Sequence, residues 1–199
     1  MPYKLGIIVG HTDAKGGAVG LDLPREYDYH KAMATDMQAF AQSDFGHLSG
    51  QEAMEVRLFF RDGIGVSGAY AQVSEWVGSF ASHAATVELH YNAATPAASG
   101  TETLSSGSAG SLALASSVQA GLCTLLGRPG QSRGVKVRNR TNKERGWMSL
   151  VSGTPPAIIT EAAFGSNAED AALLREKQFM IGREIVRRCK RYFDETVGV

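Results

Sequence analysis

Thiols are scarce in this sequence: Cys123 and Cys189 are its only cysteines. They lie far apart, each in a stretch of helical periodicity, so two buried thiols are expected rather than a disulfide. Without a C-x-x-C pair, any metal must be held by His, Asp or Glu. Net charge is missing too. Twenty basic residues balance twenty acidic ones, which removes the electrostatic case for a nucleic-acid or anionic-membrane partner. No apolar run is long enough for an integral membrane segment. The apolar stretch Leu5-Gly6-Ile7-Ile8-Val9 is too short for a signal peptide and runs straight into Gly10-His11, so a protein made in the cytoplasm without a signal peptide is expected. No phosphate-binding glycine motif follows that first run, which weakens a nucleotide-binding reading.

What is present describes an ordinary globular chain of 199 residues, 43% hydrophobic and 20% charged, with no linker dividing it. One domain over 1–199 is expected. Apolar β-branched runs predict strands at Leu5 to Val9, Val56 to Phe60, Thr86 to His90, Thr101 to Leu104, Val135 to Val137 and Ala157 to Thr160. Helical spacing predicts helices at Glu26 to Ala41, Ala69 to Ala81, Ser111 to Leu126 and Glu176 to Phe193, the last turning Phe179, Gly182, Ile185, Val186, Cys189 and Tyr192 inward. Thr12 to Pro24 reads as a glycine-rich loop, and Gln131 to Gly146, with Arg133, Lys136, Arg138, Arg140, Lys143 and Arg145, as a solvated basic loop rather than a substrate-gripping surface. Strands alternating with helices predict an α/β fold: a single-domain three-layer sandwich, its mostly parallel twisted sheet flanked by helices on both faces.

In such sheets functional groups gather beyond the carboxyl ends of the strands. His11, His90 and Glu161 each follow an apolar run directly, which predicts that all three end strands at one rim. Glu26, opening the first helix, can reach the same point. Two imidazoles and a carboxylate form a catalytic zinc set with one position left for water. Taken singly, His11 and His90 are more readily hydrogen-bonded structure than ligands, and Glu26 an ordinary acidic helix start; their joint placement favours the ligand reading. Glu161 differs, because an unpaired carboxylate beside a buried strand carries a desolvation cost that a structural role does not explain. His30, one turn after Glu26, is a weaker alternative ligand, and His47 and His83 are weaker still. Glu88 shares a strand face with His90 and either orients that ring or pairs with a basic residue.

These residues resemble the zinc N-acetylmuramoyl-L-alanine amidases, the type shared by bacterial cell-division amidases and phage endolysins. The resemblance covers nearly the whole chain. It rests on Gly10-His11, Glu26, Glu88-Leu89-His90-Tyr91-Asn92 (similar to S-I-H-x-N), Gly100-Thr101-Glu102-Thr103-Leu104, Arg133-Gly134-Val135-Lys136 and Pro156 to Asn167 followed by Asp170. It implies Zn2+ held by His11, Glu26 and His90, Glu161 as the catalytic carboxylate, and Glu88, Asn92 and Glu102 behind the metal or at the substrate. The implied substrate is peptidoglycan, cut between N-acetylmuramic acid and L-alanine. A monomeric phage or prophage endolysin is expected, with no separate cell-wall-binding domain, acting on the wall after release or delivery. A zinc peptidase or carboxypeptidase on the stem peptide, or a peptidoglycan-binding module without catalysis, are the alternatives. The chain departs from the family where Ile8-Val9 replace Asp-Pro before Gly-His, where Thr12-Asp13 follow it, and where Glu88 replaces Ser. The stretch between the His90 and Glu161 strands is too short for the plugging helix of division amidases, which predicts an open site.

Overall fold

A computed structural model describes residues 1–139, 141 and 144–197. Arg140 and Lys143 of the basic stretch lie outside the described residues. Among the described residues six strands form one sheet in the order β2-β1-β3-β6-β4-β5: β1 Tyr3–Val9, β2 Met54–Phe59, β3 Ala84–Asn92, β4 Thr101–Ser105, β5 Ser132–Val137 and β6 Ala157–Phe164. β1 runs parallel to β2 and β3, and β3 parallel to β6. β4 is antiparallel to β6, and β5 follows β4. The mostly parallel α/β sandwich expected from the sequence is the observed fold, with two reversed strands at one edge.

Side-chain alternation divides the two faces. Leu5, Ile7 and Val9 of β1, Val87 and Leu89 of β3, and Ile158 and Ala162 of β6 pack beneath α1 (Glu26–Asp44), α3 (Ala109–Leu125) and α5 (Ala168–Thr196) in the main core. The other face is covered only in part. α2 (Gly65–Val77) lays Ala69, Tyr70, Val73 and Val77 over Ile8, Phe59, Ala84 and Ala157, and α4 (Trp147–Val151) lays Leu150 over Leu104 and Ile159. α2 and α4 touch each other, and beside them part of β3, β6 and β4 is left open as a cleft.

Several boundaries moved. α5 begins at Ala168, eight residues before the expected start, because Asn167 caps it by accepting from the amides of Glu169 and Asp170. Phe179 is exposed instead of facing inward. The expected second helix breaks at Gly78, whose φ of 55° is in the left-handed region, and a 3-10 turn continues from there. Cys123 and Cys189 are buried free thiols, as the sequence indicated. No described helix is long and apolar enough to cross a membrane.

Candidate metal centre

The strand-end placement holds for His11 alone. β3 continues through Asn92 and β6 through Phe164, so His90 and Glu161 lie within strands and not at their ends. The physical reason is that Ala162, Ala163 and Phe164 are themselves buried and Phe164 pairs with Asn92 beyond a register shift, which carries the strand past the polar residue. Register then builds the site. His90 of β3 is directly opposite Glu161 of β6, and Glu161 is opposite Glu102 of β4. Glu88, His90 and Asn92 alternate on the same face. The functional groups therefore line the floor of the opening beside α2 and α4, a cleft of about 290 Å³ on the face of the sheet rather than at its rim.

His11 hangs over this floor from the loop after β1, with a φ of 66° that is uncommon for any residue but glycine. Two glycines make the approach possible. A Cβ on Gly10 would fall 2.4 Å from His90 Cε1 and from the Leu89 carbonyl, and one on Gly17 would fall 2.6 Å from Glu26 Oε2 and from His11 Cδ2. Glu26, the first residue of α1, is only 2% exposed. Its Oε2 accepts from the Ala18 amide at 2.9 Å, and its Oε1 accepts from the Tyr91 amide at 3.2 Å and meets His90 Nδ1 at 2.9 Å. Asp62 steadies the loop by accepting from the Asp13 amide and the Tyr27 hydroxyl.

One nitrogen or oxygen from each of His11, Glu26 and His90 lies within 4.8 Å of the others. His11 Nε2 stands 3.0 Å from Glu26 Oε2, but off hydrogen-bond geometry, so this buried nitrogen is left without a hydrogen-bond partner. Glu161 Oε2 is likewise buried and unpartnered. Two imidazoles, one carboxylate and an orphaned ring nitrogen turned inward fit a divalent cation of the zinc type.

Electrostatics separates the carboxylates. Burial pushes Glu26 up, but His11 and His90 outweigh it and hold the acid well below its usual range. Burial opposes the charge on Glu88 as well, yet the His90 ring, Arg61 and Ser149 hold its carboxyl at about 2. Burial dominates at Glu161, where the His90 charge offsets it only in part, and the carboxyl rises to about 7. His90, held between Glu26 and Glu88 against the effect of burial, rises to about 10. In the metal-free protein a proton on Nδ1 thus faces Glu26 where a cation would bind.

Both readings of Glu88 hold together. Its Oε1 accepts from His90 Nε2 and from Arg61 Nη1, each at 2.9 Å, and its Oε2 accepts from the Tyr70 hydroxyl at 3.0 Å. Glu102 accepts from Asn92 Nδ2 at 3.1 Å and from Arg133 Nε at 2.7 Å. His30 stands outside the ligand group. Burial lowers its pKa to about 3, and its Nδ1 meets the Glu26 carbonyl at 2.9 Å. His47 and His83 are bound to local partners, Ser43 and Ser82. Arg61 and Ser149, which the sequence reading missed, also line the cleft, as do Arg138 and Arg145 of the stretch expected to be a solvated basic loop. Arg61 carried a signal, being a polar residue just after the apolar end of β2.

The sequence profile of the N-acetylmuramoyl-L-alanine amidases matches residues 5–190. The chain belongs to this family. Family membership supports peptidoglycan amidase activity of the N-acetylmuramoyl-L-alanine type. An N-acetylmuramoyl-L-alanine amidase from Clostridium difficile 630 is similar with a TM-score of 0.77 and 21% identity, over 98% of each chain. The catalytic domain of an endolysin targeting Clostridia difficile gives 0.73 and 23%, over 95% of this chain and 97% of that one. The catalytic domain of the amidase CwlV from Bacillus (Paenibacillus) polymyxa gives 0.72 and 23%, over 98% and 99%. None of the curated proteins compared with the chain matches it. At these identities the solved structures speak for the fold, and the profile for the family.

Proposed function

We propose that the chain hydrolyses the amide between the lactyl group of N-acetylmuramic acid and L-alanine, with zinc held by His11, Glu26 and His90 and with Glu161 carrying the proton. The observation that supports it most is the unpartnered, buried Glu161 carboxylate facing a three-residue ligand group from the neighbouring strand. When bound, zinc supplies a Lewis acid that polarises the amide carbonyl and lowers the pKa of a water towards about 7. Glu161 accepts a proton from the attacking water and returns it to the departing alanine nitrogen, so one carboxyl serves as base and then as acid. A pKa raised to about 7 suits both duties near neutrality. Glu88 accepts the Nε2 proton of His90 and leaves Nδ1 free for the metal, while Arg61 and Tyr70 fix Glu88. Glu102 and Asn92 form the far wall against which the glycan or peptide rests.

We place the chain among lysins of phage or prophage type, a reading supported by its likeness to an endolysin catalytic domain. Purified protein should clear a peptidoglycan suspension, stop on chelation and recover with zinc. Mass spectrometry should find free stem peptides that begin with L-alanine. Peptides cut internally, with the lactyl amide intact, would overturn the amidase reading in favour of a peptidase.

A further inference from the structure

Charge in the cleft does not balance among the groups used so far. Glu88 is matched by Arg61 at 2.9 Å and Glu102 by Arg133 at 2.7 Å. Glu26 belongs to the ligand group, and Glu161 is the proton carrier. Two further guanidinium groups, Arg138 and Arg145, line the same cleft; among the described residues neither is within ion-pair distance of a carboxylate, and Arg145 acts on Glu161 only through its longer-range charge. Arg138 Nε is buried without a hydrogen-bond partner, and so is Nε of Arg61, which lines the same cleft. Such donors are costly to leave unmade unless a ligand completes them.

Both arginines are anchored. The Arg138 amide donates to the Ser105 carbonyl at the end of β4. Arg145 precedes Gly146, where a Cβ would come within 2.9 Å of Ile159 Cδ1, so this backbone lies against the sheet. Glu144, between them in sequence, is turned away and accepts from the Asn139 amide at 2.8 Å. The fork of an arginine fits a carboxylate and does not fit a neutral sugar hydroxyl as well. A cleft of about 290 Å³ is at the small end of ligand pockets, so the group these arginines meet is close to the bond being cut.

Resting on the amidase reading, we propose that Arg138 and Arg145 form a carboxylate clamp that selects stem peptides carrying a free acid near the scissile amide. A chain of one or two residues beyond L-alanine spans about 7 Å. The free carboxyl of the second stem residue lies within that reach and is the nearer candidate, and the side-chain carboxyl of the third, one side chain farther out, is the other.

The test uses the full chain and two substrate pairs. The first is N-acetylmuramoyl-L-alanyl-γ-D-glutamate and its isoglutamine amide. The second is the diaminopimelate tripeptide with its side-chain carboxyl free or amidated. Wild type should favour the acid of one pair by about tenfold in kcat/KM, carried by KM, and the pair that shows the preference identifies the acid. In Arg138→Gln and Arg145→Gln the acid-to-amide ratio should fall towards one, with Arg138→Lys intermediate. Equal rates for acid and amide in both pairs by wild type, or an unchanged ratio in the glutamine variants, would overturn the clamp. Binding of the cleaved peptides to chelated protein, measured by calorimetry, asks the same question without turnover. If no lactyl amide is cut, the amidase reading fails while that comparison still judges the clamp. Circular dichroism of each variant shows that a lost ratio is not a lost fold.

Discussion

At the residue scale, charge is assigned to atoms by the neighbours each carboxylate keeps. If Glu161 carries the proton as proposed, Glu161→Gln removes that group without touching the ligand group, so turnover should fall by about a hundredfold or more while bound zinc per chain is unchanged. His90→Ala should lose both activity and metal. Metal analysis beside the digestion assay separates the two, and a Glu161→Gln protein with normal turnover would remove Glu161 from the mechanism. Glu88→Gln tests the residue that departs from the family's serine. Its charge neutralises Arg61 and fixes His90, so zinc affinity should drop by about 10–100-fold in chelator competition. Affinity equal to wild type would leave Glu88 as a partner of Arg61 only. His11, His90 and Glu161 were legible because each is polar beside an apolar run. Arg138 and Arg145 were not, since a basic stretch reads as solvated until the fold shows which of its side chains turn into a cleft.

At the scale of elements, the sequence indicated which strands and helices exist better than where they stop. The strands expected to end at His90 and Glu161 run on past them, because partial cover of one face lets a strand carry polar groups in its interior. Period-two alternation of Glu88, His90 and Asn92 was the usable signal. The reversed β4 had no local signal, because direction depends on partners distant in sequence. Asp170 shows how elements are tied together: it is buried at the start of α5, accepts from the amides of Phe164 and Gly100, and meets Arg128. Asp170→Ala would strand that arginine and two amides, and should cost about 3–5 kcal/mol in urea unfolding. A loss under 1 kcal/mol would mean that water replaces the carboxylate.

For the whole molecule, the buried ionisable groups predict how stability of the chelated protein depends on pH. His90 rises from 6.5 to about 10 on folding, so its contribution is complete below pH 6.5 and is lost as pH climbs through 10. Glu161 rises from 4.5 to about 7, which favours the folded state below pH 4.5 and fades as pH passes 7. Glu88 falls from 4.5 to about 2, so its contribution is present above pH 4.5 and lost on acidification. The melting temperature of chelated protein should therefore peak between about pH 4.5 and 6.5. On the proposed ligand assignment zinc displaces the His90 proton, so the rise in melting temperature on adding zinc should grow from pH 5 to pH 8. A zinc-induced rise that shrinks over this range would contradict the ligand assignment. Calorimetric titration in buffers of different ionisation enthalpy should record proton release near pH 7.

The row of His90, Glu161 and Glu102 across three bonded strands has a further consequence. Neighbouring strands are held about 4.8 Å apart by their backbone ladder, so the spacing of these three side chains is metered by the main chain and hardly at all by side-chain fit. Parity becomes as binding as identity: one residue inserted into β6 ahead of Glu161 would keep every letter of the site yet turn that carboxyl into the apolar layer. The surrounding loops, by contrast, can be recut for a new wall chemistry without recalibrating the ruler beneath them.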